Sequence, residues 1–212
     1  MASGLNKAPT AAPGPAGGEA TIPGQSLRQI LLTLQASCGQ QYEPLLKAAG
    51  LARFQHTLPP DDWNPAGTTT EIARLFKVVY DMLGEELTRL FHRNNNLAIA
   101  EYLLHSPRGQ QLITQAAQLP PEQRLGWFVR ETALFSGRTW TPHTASEDAS
   151  AWYLTNEQCL VCAGIHGAAA PFCGSATLYA HMAKAVIGQR VRVVEVECAA
   201  MGAPHCKYAL YK

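Results

Sequence analysis

The sequence predicts an α+β domain in which helices pack on a small antiparallel sheet. Apolar residues recur at helical spacing through the first two thirds of the chain. Beyond Gly137 the pattern changes to short β-type runs divided by polar turns, and one more helical stretch lies among those runs. A chain of 212 residues, 47% hydrophobic and 16% charged, can bury one sizeable core and keep a modest polar surface.

Residues 1–25 are rich in Ala, Gly and Pro and lack periodic apolar positions, so they are expected to form a disordered tail. Residues 26–212 are expected to form a single domain. Leu27, Ile30, Leu31 and Leu34 make the first helical stripe, and Tyr42, Leu45, Leu46 and Leu51 a second. Three prolines and Trp63 mark residues 55–67 as a loop. Thr70 is the expected N-cap of a helix carrying Ile72, Leu75, Phe76, Val79 and Met82. Gly84 interrupts that stripe without ending it, because Leu87, Leu90 and Phe91 continue it, and the asparagines Asn94 to Asn96 signal a turn or break. Ser106-Pro107 and Pro120-Pro121 each open a further helix, the second ending at Gly137. Residues 138–144 and 151–154 are expected strands around the turn Ser146-Glu147-Asp148. A helix over 172–187 is rich in small residues, Gly188 caps it, and strands follow over 190–198 and 206–211.

Composition excludes some functions. A net charge of +1 with no Lys/Arg-rich run argues against a nucleic-acid partner, which needs clustered cations to displace counterions. No apolar stretch is long enough to span a membrane, and no secretory signal is evident at the N-terminus. The six cysteines are therefore expected as thiols or metal ligands in a cytoplasmic protein.

The most informative spacing is at the C-terminus. Cys198 and Cys206 bracket a turn containing Gly202 and Pro204, whose hairpin should bring the two sulfurs together. Glu195 stands three positions upstream, and Cys173 lies at the start of the preceding helix. Three thiols and a carboxylate form a tetrahedral set suited to Zn²⁺. Side chains alternate along a regular strand, so Glu195 and Cys198 share a face only if a bulge or strand end lies between them. His205 is an alternative fourth ligand, with an exposed turn residue as the blander reading. Cys159-Leu-Val-Cys162 reads most simply as a pair of buried thiols. A redox pair, a second metal pair, and a site shared with Cys198 and Cys206 stay open beside it.

The stretch from Cys173-Gly through Gly188-Gln-Arg-Val-Arg-Val-Val-Glu195-Val-Glu-Cys198 to Gly202-Ala-Pro-His-Cys206-Lys-Tyr resembles the 4-vinyl-reductase domain family. That family is named for a bacteriochlorophyll-biosynthesis protein and is related to the sensor domain of phenol-responsive activators. Val79-Tyr-Asp-Met-Leu-Gly84-Glu-Glu is a weaker echo of an earlier helix in the module. The resemblance implies a dimeric, ligand-binding fold shared with NO-signalling and Golgi-transport-like domains, with an apolar cavity between helices and sheet. It also implies a zinc ion on Cys173, Glu195, Cys198 and Cys206. Trp127, Phe128, Trp140, Trp152 and Tyr153 fall in the segments expected to wall that cavity, and Trp152 is the foremost candidate contact; ordinary core packing is the competing reading.

His92 and His105 read as helix-surface residues, His166 as a loop residue, His181 as a helix-face residue, and Cys38 as core. No histidine has the companions of a catalytic triad, and no dinucleotide fingerprint is present. The expected function is a zinc-stabilised binding domain for a hydrophobic aromatic or tetrapyrrole molecule, as a carrier or accessory in bacteriochlorophyll biosynthesis. A 4-vinyl reductase acting on a chlorophyll precursor and a scaffold or assembly subunit are the alternatives.

Overall fold

The computed structural model describes residues 20–212, so most of the expected tail lies outside the described residues. Its last residues do not continue it. Thr21–Pro23 form strand β1, which pairs antiparallel with β2 (Pro65–Thr68), and helix α1 (Gly24–Cys38) begins at once. Ile22 is fully buried there, which supplies the apolar anchor that composition alone did not reveal.

α2 (Tyr42–Ala48) and the long α3 (Thr69–His105) complete the helical layer around Leu27, Leu31, Leu45 and Phe76. The N-cap of α3 is Thr68 rather than Thr70. Its side chain accepts from Glu71 N at 3.2 Å, while the Glu71 carboxylate accepts from Thr68 N at 3.0 Å, a reciprocal box closing both donors. Gly84 kinks α3 at φ 78°, ψ 172°, and buried Thr88 donates its hydroxyl to the carbonyl thereby freed, at 2.7 Å. Asn94 to Asn96 do not break the helix. Asn95 and Asn96 are buried within it, and Asn96 Nδ2 donates to the carbonyls of His92 and Cys173 at 2.9 Å each.

α4 (Pro107–Ala117) starts where expected, its N-cap Ser106 accepting from Gly109 N at 3.1 Å. α5 (Pro121–Thr139) runs past Gly137. The sheet follows: β3 (His143–Glu147), β4 (Ala151–Asn156), β5 (Val193–Glu197) and β6 (Cys206–Tyr211), ordered β3-β4-β6-β5 and antiparallel throughout. The turn falls at Asp148–Ser150, where the Asp148 carboxylate accepts from Ser150 N and Ala151 N at 2.7 and 2.9 Å. α6 (Ser175–Ile187) crosses the sheet and packs on α3 and α5. The architecture is the expected α+β one, with a second core formed by the sheet, α6 and the helices that cover them. No helix among the described residues is long and apolar enough to cross a membrane.

Candidate functional site

Two features lie between the elements: a cluster of thiols at one end of the sheet, and a cavity where the two cores meet.

The sheet builds the cluster. Register places Trp152, Leu154 and Asn156 of β4 opposite Leu210, Tyr208 and Cys206 of β6, and Glu195 of β5 opposite Tyr208, so these residues share one face. The β5–β6 register then shifts between Glu195 and Glu197, with Glu197 opposite Lys207. This irregularity restores Cys198 to the face that Glu195 occupies, as the metal reading required. It sends Glu197 outward, where it pairs with His205 at 2.9 Å and Lys207 at 3.7 Å. His205 is thereby engaged away from the sulfurs.

Cys159, Cys162, Cys173 and Cys206 are buried, and their Sγ atoms all lie within 4.8 Å of one another; these four thiols could hold a metal ion. Glu195, Cys198 and Cys206 form an overlapping set within the same distance. Cys162 Sγ stands 3.6 Å from Cys206 Sγ and 3.9 Å from Cys198 Sγ. The four residues expected from the C-terminal spacing thus all reach the cluster, and the Cys159–Cys162 pair joins them. Sequence spacing could not show this, because the loop following β4 has to fold back onto β6. Cys38, half-buried at the end of α1, stands apart.

The cluster is held from outside by directed bonds. Cys173 Sγ lies 2.7 Å from the buried Tyr208 hydroxyl and 3.4 Å from a Glu195 oxygen, and Ala199 N donates to Cys206 Sγ at 3.4 Å. Hydrogen bonds from Cys159, Cys162 and Cys206 hold the Cys173 thiol well below its ordinary range, and those from Cys162 and Cys206 do the same at Cys198. Cys162 and Cys206 are pushed the other way, chiefly by their bonds to Cys159. Burial, then the negative charge of Cys173 and Cys198, pushes Glu195 up to about 11. So many acidic groups cannot all ionise in one apolar volume, and a cation among them would draw off their protons.

The cavity holds about 150 Å³ and is walled by α1, α3, α4, α5, α6 and the loop after β4. Trp140 and Phe128 line it. Trp152 and Trp127 do not reach that lining: the Trp152 indole lies against Gly126 of α5 with the Arg130 guanidinium 4.9 Å from its ring, and Trp127 packs on the sheet-side core. One polar wall is satisfied. His143 Nδ1 donates to Thr141 O at 2.7 Å, and Tyr179 donates its hydroxyl to His143 Nε2 at 3.2 Å. The part of the wall from α3 is not. His92, read from sequence as a surface residue, is fully buried among Phe76, Phe91 and Phe172 at centroid distances of 5.0, 5.2 and 5.4 Å. Both of its ring nitrogens and Asn95 Oδ1 lack hydrogen-bond partners among the described residues. Burial lowers the His92 pKa to about 4, against a smaller opposing pull from Cys173, so the ring is neutral at physiological pH. Helical periodicity alone could have put His92 inside, since it adjoins the buried Phe91 and lies four positions before Asn96; its polarity argued the other way.

No protein-family model matches the chain, and no curated protein matches it. Among solved structures, the phenol-responsive sensory domain of the transcription activator PoxR with phenol is 19% identical, with 82% of this chain and 90% of that chain covered and a TM-score of 0.47. A doubly substituted Tt H-NOX is 15% identical, covering 90% of this chain and 93% of that one, with a TM-score of 0.47. The 4-vinyl-reductase family is not shown by these matches.

Proposed function

We propose that this chain is a small-molecule-binding domain that encloses a single aromatic ring bearing a hydroxyl group, and that a structural zinc ion pins the sheet edge beside it. The observation that carries the reading is that the His92 ring nitrogens and Asn95 Oδ1, at the wall of a mainly apolar cavity, lack hydrogen-bond partners among the described residues. Buried polar groups without partners cost about 1–3 kcal/mol each, so a fold retains them where something else completes the bond. A hydroxyl can donate to Asn95 Oδ1 and accept from the protonated ring nitrogen of neutral His92. Size sets the class: an apolar cavity of about 150 Å³ accepts a benzene-sized molecule. A tetrapyrrole, with several rings in one macrocycle, exceeds that volume, so the single-ring ligand is preferred to the pigment. Zinc suits the donors because thiolates are soft ligands and four of them leave no open coordination position. The exposed apolar side chains Met82, Leu87 and Leu90 on α3 support the homodimer that completes this reading.

Phenol and benzene serve as matched probes, read by the fluorescence of Trp63 and Trp140 in the cavity wall. Phenol should bind saturably and more tightly than benzene. His92→Leu or Asn95→Leu should erase the preference, a loss of about 5-fold to 100-fold in phenol affinity per hydrogen bond. Absence of saturable binding by either probe, or an unchanged phenol preference in both variants, refutes the proposal.

A further inference from the structure

The cluster offers six donors, Cys159, Cys162, Cys173, Cys198, Cys206 and Glu195, where a tetrahedral ion takes four. We propose that the ion sits on the all-thiolate set Cys159, Cys162, Cys173 and Cys206, and that Cys198 and Glu195 flank it without being required ligands. This rests on the zinc reading above and departs from the Glu-containing set implied by the C-terminal motif.

Geometry favours the thiolates. A zinc–sulfur bond of about 2.3 Å makes the edge of a sulfur tetrahedron about 3.8 Å. Cys162 and Cys206 are 3.6 Å apart, and the whole quartet lies within 4.8 Å, so little movement closes the site on one ion. The chain presents these sulfurs in pairs. Cys162 N donates to Cys159 O at 3.2 Å and Ile165 N to Cys162 O at 3.1 Å, winding the Cys-x-x-Cys segment into a tight turn with both thiols buried in the cluster. Cys173 is set by Gly174, whose φ of 67° turns the chain into α6, and by the bond from Asn96 to its carbonyl. The Tyr208 hydroxyl and Ala199 N are already aimed at Cys173 and Cys206, the outer donors that buried thiolates need. Glu195 contacts Cys173 across 3.4 Å and fits the role of a neighbour to a ligand.

The assignment gives the Cys-x-x-Cys loop a second task. Leu160 is buried in the N-terminal helical core, and Val161 lines the cavity. A metal gripping Cys159 and Cys162 therefore fixes one wall of the binding cavity.

The test uses the full chain loaded with zinc and, separately, with cobalt. X-ray absorption at the zinc edge of the wild type should show four sulfur neighbours at about 2.3 Å and no oxygen. The Glu195→Gln/Cys198→Ser variant should keep one ion per chain and the sulfur-to-cobalt charge-transfer band of the wild type. Cys159→Ser/Cys162→Ser should lose zinc affinity by more than the roughly 10-fold to 100-fold typical of removing a supporting residue. Three sulfurs and one oxygen in the wild type, or loss of the ion in the first variant with retention in the second, overturns the ligand assignment and leaves the zinc reading intact. A wild-type chain that takes up neither metal refutes both, and the absorption measurement needs no variant to fold.

Discussion

Replacing His92 with leucine should stabilise the protein at neutral pH and blunt its sensitivity to acid. The ring is fully buried with both nitrogens unpartnered among the described residues, and its pKa falls from 6.5 to about 4. Because the folded-state value is depressed, the unfolded chain takes up the proton first. Above the unfolded pKa both states are neutral and nothing is lost. Between 6.5 and about 4 only the unfolded state is protonated, so stability declines as pH falls, and below about 4 the loss is complete. These two pKa values give a loss of about 2 kcal/mol at pH 5 and about 3 kcal/mol at pH 4. Urea unfolding of wild type and His92→Leu, prepared with the same metal content, at several pH values between about 7.5 and 4.5 isolates the effect, because titration of the thiol cluster is common to both proteins. Leucine should also relieve about 1–3 kcal/mol of unsatisfied polar burial at neutral pH. Two curves that stay parallel within about 0.5 kcal/mol across the range would refute the reasoning, since no buried neutral imidazole would then be charging on unfolding.

Two further substitutions test the frame around the sites. In Gly126→Ala the new Cβ would lie 2.5 Å from Trp152 Cζ2 and 2.8 Å from Cε2, so the indole must shift. Thermal unfolding should report about 1–3 kcal/mol of destabilisation, shrinking when Trp152→Ala is added, and an additive double variant would contradict the contact. Thr68→Ala removes the acceptor of the α3 capping box and should cost about 1 kcal/mol in urea unfolding, with Thr68→Ser largely retained. Equal stability of all three proteins would show that the cap is dispensable.

What the sequence made legible follows from how local each determinant is. Helix starts at Ser106 and Pro120-Pro121 depend on a few adjacent residues, and the structure places α4 and α5 there. The convergence of Cys198 and Cys206 is also local, because one short turn joins them, and the requirement for a bulge near Glu195 followed from alternation alone. Determinants that act across the chain were hidden. β1 and β2 are a few residues each, and only their mutual pairing makes them strands. Asn94 to Asn96 carry turn-forming side chains, yet Asn96 finds its partner 77 residues away at Cys173. His92 is a different case: its helix neighbours Phe76 and Phe91 are local, its polarity pointed outward, and only the contact with Phe172 comes from afar. The Cys159–Cys162 pair could be recognised as a motif but not located, because its neighbours Cys173 and Cys206 come from other elements.

The thiol cluster and the cavity are not independent. Asn96 binds the carbonyl of Cys173, the Phe172 ring packs edge-on to His92, and a Cβ at Gly174 would stand 3.2 Å from Arg93 N, so the Phe172–Gly174 segment lies directly against α3. Val161 ties the other thiol-bearing loop to the same cavity. A molecule that engages His92 therefore acts on a helix that also positions Cys173, and an ion held by Cys162 and Cys173 would act on the cavity through Val161 and through Asn96 of α3. If each occupant restricts the same segments, the second meets a site whose ordering entropy has already been spent. Reciprocity then requires that any factor by which zinc tightens the aromatic ligand is the factor by which that ligand tightens zinc. Such coupling needs no large conformational change, only that both sites draw on the packing of one helix against two cysteine-bearing loops.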